Sequence, residues 1–240
     1  MLVPGIGGRI VVRVLNYIIK RSVCKILVIV LMLSIVSIGC TFTKNIDRDD
    51  ENEIVIPLTE EEVQQYNNEL KPILIDSQGN PKVNILSNFF TSYYDKPEDI
   101  NLEEFLAYFP PDNDVHDEDE FIALKEDKKW SFDGVDMTIS HMPVPIHRFS
   151  AATINGVLQK HMGISLDDLN GVDTENLIYL DEYDSYYNFT SDFAAGVFYC
   201  THGEAEGDIV RLFNESVKLT LKKHDDDFLI VSHQLINKTD

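Results

Sequence analysis

The longest apolar run lies near the start of the chain, where Ile26–Gly39 is broken only by Ser34 and Ser37. Lys20, Arg21 and Lys25 precede it and Cys40 closes it. A membrane-spanning helix needs about 20 apolar residues. This 14-residue run is shorter and has the length of a signal-peptide core. Thr41–Pro57 then turns polar and acidic around Asp47-Arg48-Asp49-Asp50-Glu51 and reads as a tether. The chain thus divides in three: residues 1–40 read as a leader, 41–57 as a spacer and 58–240 as a single domain.

Within 58–240 the apolar spacing first predicts helices. Thr59 with Glu62 three residues on forms a capping box, and Glu60, Glu61 and Glu62 suit the positive end of the helix dipole. Pro72–Asp76 reads as a short strand before the turn Ser77-Gln78-Gly79-Asn80-Pro81. Ile85, Phe89 and Tyr93 run beside Leu86, Phe90 and Tyr94 as two i, i+4 rows, which predicts a helix ended by Lys96-Pro97. Asn101 caps a further helix carrying Leu102, Phe105, Leu106 and Phe109, which Pro110-Pro111 stops. Another is expected at Glu118–Lys125. Ser150 caps a helix with Ile154, Val157, Leu158, His161 and Met162 on one side and Gly163 at its end. Ser165–Leu169 reads as one more turn.

Alternation takes over elsewhere. Val135, Met137 and Ile139 alternate as in a strand, and Met142-Pro143-Val144-Pro145-Ile146 must be extended, because proline disfavours helix in the residue before it. Strands are predicted at Leu177–Leu180, Tyr183–Phe189, Gly196–Thr201, Asp208–Phe213, Val217–Lys222 and Phe228–Gln234, the last two joined as a hairpin. The expected fold class is therefore α+β, with N-terminal helices packed on a C-terminal antiparallel sheet. The closing hairpin resembles cystatin-like and NTF2-like sheets.

Charge sharpens the division. The first 40 residues carry five basic residues and no acid, so the net −21 of the chain leaves −26 for the rest. Basic residues ahead of an apolar run stay in the cytoplasm, and the chain beyond the run is expected outside. A domain this acidic repels phosphate backbones, so nucleic acid is excluded as an expected partner. Cys200 alone remains beyond the leader, and one thiol cannot cross-link a fold, so the domain is expected to rest on its core.

Val36-Ser37-Ile38-Gly39-Cys40 resembles the lipobox of bacterial lipoproteins, although Ser37 stands where that pattern usually has Leu. The resemblance implies that the Cys40 thiol takes a diacylglyceryl group and that cleavage just before it follows; an uncleaved membrane anchor is the alternative. Four further segments extend the likeness: Leu58–Glu62, Phe89–Asp99, Met142–His147 and Glu182–Phe189. They resemble a group of uncharacterised lipoproteins from clostridia and related Gram-positive bacteria. That resemblance implies a chain lipid-anchored on the extracytoplasmic face of the cell membrane. It carries no activity with it.

Candidate chemistry in the domain is sparse. The residues contain no Gly-x-Ser-x-Gly elbow, and Cys200, in a predicted strand, reads as inert packing. The seven histidines are scattered without metal-ligand spacing, so no metal and no cofactor are expected. Asp112–Glu120 is dense in carboxylates and is a candidate for weak calcium binding outside the cell, set against a solvated charge run. Tyr183, Tyr186 and Tyr187 with Asp184 form the most site-like cluster, a ligand face if the rings point outward and ordinary sheet packing if they alternate. The expected function is non-enzymatic binding of an envelope protein, peptide or glycan. The alternative is a cell-wall glycan or peptide hydrolase using paired carboxylates.

Overall fold

The computed structural model describes residues 54–132, 137–171, 175–190, 196–225 and 227–236. The leader, Cys40 and most of the tether lie outside the described residues. In chain order the elements are β1 (Ile56–Pro57), α1 (Glu60–Leu70), β2 (Ile73–Ile75), β3 (Pro81–Val83), α2 (Leu102–Ala107), β4 (Asn113–Asp114), α3 (Glu118–Glu126), β5 (His147–Ser150), α4 (Ala151–Met162), β6 (Ile178–Leu180), β7 (Ser185–Asn188), β8 (His202–Glu206), β9 (Ile209–Phe213), β10 (Val217–His224) and β11 (Asp227–Leu235). Helices and antiparallel sheets together make the fold α+β, as the periodicity predicts.

Local signals set the helix ends. Thr59 and Glu62 form the capping box of α1. Asn101 accepts from the Glu104 N–H, Asp117 from that of Glu120 and Ser150 from that of Thr153. Gly163 ends α4 in the left-handed region at φ 72°, where glycine has no Cβ to clash.

Three sheets are present among the described residues. The largest has the order β1-β8-β9-β10-β11 and is antiparallel throughout. β8 to β11 form a meander, and β1, from the stretch read as tether, pairs on the outer side of β8 through Ile56 and Pro57. β2 and β3 form a hairpin. The third sheet, β4-β5-β7-β6, is a separate layer that the alternation pattern does not reveal. Its strand β7 is buried at all four residues because apolar material covers both faces. Phe149 and Tyr186 face the main core with α2 and α4 residues, while Ile178 and Tyr187 face a second core with Val115, Phe121, Leu124 and Ile146.

Three local expectations are corrected. The helix over Ile85–Tyr94 is a 3₁₀ helix that stops at Phe90. The neighbours Phe89 and Phe90 are both buried, so tertiary packing overrides the helical spacing. The strand at Gly196–Thr201 is shifted onward to β8, and residues 196–200 carry no ladder. Ile139 begins a 3₁₀ turn rather than continuing a strand, and Val135 lies outside the described residues.

Candidate functional site

Two grooves stand out, and both arise where a loop meets a sheet. The first forms at the free edge of β11. Past Phe90 the chain runs to Tyr94, which exchanges two backbone hydrogen bonds with His233, Tyr94 N–H donating to O at 2.8 Å and His233 N–H to O at 3.0 Å. Period-two alternation at this crossing sends Tyr94 inward and leaves Tyr93 54% exposed. Burial pushes the Tyr94 phenol well up, and its hydroxyl donates to the Phe89 carbonyl at 3.1 Å.

His233 is the floor beneath Tyr93. Its Nδ1 lies 2.7 Å from the Ser92 carbonyl; a carbonyl only accepts, so Nδ1 carries the hydrogen. Phe90, Tyr94 and Phe198 surround the ring, and desolvation holds its pKa below the ordinary histidine value despite the Ser92 bond. The Tyr93 ring stacks on this imidazole at 4.9 Å between centroids and 23° between planes. One face of Tyr93 is thereby fixed to the protein.

Beside it a row crosses the sheet. His202, Phe213, Lys218 and Gln234 stand opposite one another on β8, β9, β10 and β11. His202 stacks on Phe213 at 5.1 Å. Gln234 Nε2 donates to Asp95 Oδ1 at 2.6 Å, and Asp99 Oδ1 accepts from Asn170 Nδ2 at 2.7 Å. Tyr93, Asp95, Asp99, Phe213, Lys218 and Gln234 line an open groove of about 670 Å³, inside the range of small-ligand sites. Chemically it offers aromatic rings, an ammonium and an amide as donors, and two carboxylates as acceptors.

The second groove, about 550 Å³, lies between β3, the end of α2 and the Pro145–His147 strand entry. His147 sits at its wall with both nitrogens engaged: Nδ1 lies 2.7 Å from Asp114 Oδ1 and Nε2 3.0 Å from the Thr190 carbonyl.

The tyrosine cluster expected as a ligand face is dispersed. Tyr186 and Tyr187 are buried on opposite faces of β7, so neither can stack on a ligand from solvent. The Tyr187 hydroxyl donates to Glu120 Oε1 at 2.5 Å. Burial, followed by the Glu120 bond and charge, pushes that phenol up. Arg148 answers the buried carboxylate with Nη1 at 3.6 Å and lies 5.8 Å from the Tyr183 ring, which is half-buried. Asp184 is exposed in the left-handed region at φ 43° and accepts from Tyr179 at 2.8 Å. That hydrogen bond leads in pushing the Tyr179 phenol up to about 12.

The acidic run Asp112–Glu120 does not converge on a cation either, because its carboxylates serve separate partners. Asp112 accepts from Ser150 N–H at 2.7 Å and Thr153 Oγ1 at 2.8 Å across the start of α4. Partial burial raises its carboxyl, but these bonds and Arg148 outweigh that and hold it below the ordinary range. Asp114 takes His147, Asp117 caps α3 and Glu120 takes Tyr187. Among the described residues no group of three or more His, Cys, Asp or Glu side chains is placed to hold a metal ion.

The groove at Tyr93 is not visible in the sequence. Tyr93 belongs to an apparent helix face, and Asp95 and Gln234 lie 139 positions apart; no local pattern links them. The fold is α+β, and the groove is open and lined by both aromatic and polar side chains. Compared with protein-family models, curated proteins and solved structures, the chain matches none.

Proposed function

We propose that this chain is a lipoprotein acylated at Cys40, held on the extracytoplasmic face of the cell membrane, whose domain binds cell-envelope glycan in the Tyr93 groove. The observation that carries the binding role is the Tyr93–His233 stack. A ring already immobilised on one face loses little entropy when a ligand covers the other. The apolar face of a pyranose packs on such a ring, while its hydroxyls meet Gln234, Lys218 and Asp95 at the groove wall. The charge of −26 beyond the leader repels nucleic acid and anionic headgroups, which favours an uncharged or cationic glycan.

The second reading, a hydrolase working through carboxylates, draws on the same groove, since Asp95 and Asp99 both line it. Both are exposed and already accept hydrogen bonds from Gln234 and Asn170. A general acid of that class needs a carboxyl shielded from water, so binding is preferred.

Full-length protein solubilised from membranes is expected to sediment with insoluble cell-wall glycan and to be released intact by soluble fragments, with no new reducing ends. Failure to sediment contradicts the binding reading, and new reducing ends favour the hydrolase. Growth with a radiolabelled fatty acid tests the anchor: wild type takes up label, and Cys40→Ala does not.

A further inference from the structure

We propose that the second groove is a binding site for a small amphipathic carboxylate, an apolar body bearing one anionic group, with Lys82 as the counter-charge. Its walls include Val83, Tyr108, Phe109, Pro110 and Pro145. The prolines have a fixed backbone φ, and Phe109 is wedged against Phe105 at 5.1 Å and Phe149 at 6.1 Å. The groove is thus apolar and braced against collapse, at a volume usual for small ligands.

Charge names the occupant. The domain is strongly acidic, and other grooves on the described surface carry carboxylates on their walls: Asp95 at one, Glu69 at a second, Asp114 at a third, Glu60 at a fourth. This groove has none among the described residues lining it. It holds Lys82 instead, exposed on β3, with no carboxylate among the described residues at ion-pair distance. The neighbouring His147 is already committed to Asp114 and Thr190, so the ammonium of Lys82 is the cation left for a ligand. A groove that carries positive charge on a negative protein selects for an anion, and its apolar walls take up the ligand's apolar body.

The test is calorimetric titration of the full-length chain in nanodiscs, with empty nanodiscs subtracted, using 2-naphthoate, uncharged 2-naphthalenemethanol and cationic 2-naphthylmethylamine. Naphthoate is expected to bind more tightly than the alcohol, and the amine not at all. Lys82→Met is expected to weaken naphthoate about three- to fivefold and to leave the alcohol unchanged. Ala107→Trp, which fills the groove beside Tyr108, is expected to abolish both. No binding of naphthoate, equal binding of the amine, or unchanged naphthoate affinity in Lys82→Met would each overturn the assignment. Lys82 is exposed, so that variant decides the matter even if Ala107→Trp does not fold.

Discussion

The Asn67 side chain hydrogen-bonds both backbone groups of Cys200, Nδ2 donating to the carbonyl and Oδ1 accepting from the N–H, each at 2.9 Å. Residues 196–200 have no strand partner, and both Asn67 and Cys200 are buried. One amide from α1 therefore does the pairing that a neighbouring strand does elsewhere. Asn67→Ala strands a buried donor and a buried acceptor, and is expected to lower stability by about 2–4 kcal/mol in urea unfolding. A loss below roughly 0.5 kcal/mol, the scale of an ordinary surface substitution, contradicts this role.

The same burial silences the thiol. Desolvation pushes Cys200 up to about 11, and only a thiolate is a good nucleophile. In a Cys24→Ser, Cys40→Ser background, iodoacetamide at pH 8 is expected to leave Cys200 unmodified in native protein and to label it fully in urea. Rapid native labelling contradicts the inert reading.

Two histidines set an acid limit on stability. His161 and His233 both sit below the ordinary histidine value, chiefly through desolvation, with Lys160 adding to the effect at His161 and Asp227 opposing it. Below pH about 6.5 the unfolded chain takes up protons that the native rings refuse, so the unfolded state gains. Stability is therefore complete above that pH and is lost as pH falls toward the native values. The urea midpoint is expected to drop between pH 7.5 and 5, and the drop to shrink in the His161→Gln, His233→Gln double variant. A flat profile in the wild type contradicts it.

Two glycines should differ in tolerance. A Cβ added to Gly196 would overlap the Ser87 carbonyl oxygen and lie 2.6 Å from the Phe90 carbonyl carbon, both backbone atoms. On Gly203 the two nearest atoms are side-chain ends, Leu58 Cδ1 at 2.7 Å and Leu212 Cδ2 at 2.9 Å, and the nearest backbone atom, the Arg211 carbonyl oxygen, is farther off at 3.0 Å. Gly196→Ala is expected to cost about 3 kcal/mol and Gly203→Ala about 1 kcal/mol, measured by thermal or urea unfolding. The reverse order contradicts the packing at the 85–90 turn.

Legibility in the sequence tracks distance along the chain. The caps at Thr59, Asn101 and Ser150 and the stop at Gly163 are readable because each needs only residues within a turn of itself. The β10–β11 hairpin is readable from the alternation of Val217, Leu219 and Leu221. The features that escape depend on long-range partners. β7 has no polar face because two cores claim it, so the tyrosine row resembles an exposed surface in one dimension and is interior in three. Residues 196–200 alternate in burial like a strand, but the backbone of Cys200 pairs with an asparagine side chain 133 positions away. The groove is assembled from Tyr93, whose fellow row members Ile85 and Phe89 pack inward, and from His233 on the last strand.

If Tyr93, held on one face by His233, makes the groove a glycan site, removing its ring must cost affinity for glycan. Soluble cell-wall glycan fragments are titrated calorimetrically into the full-length chain in nanodiscs, for wild type, Tyr93→Phe and Tyr93→Ala, with urea unfolding confirming that each variant folds. Tyr93→Phe keeps the ring and is expected to bind like wild type, whereas Tyr93→Ala is expected to lose about tenfold or more. Wild-type affinity in folded Tyr93→Ala, or no binding by any of the three, contradicts the account.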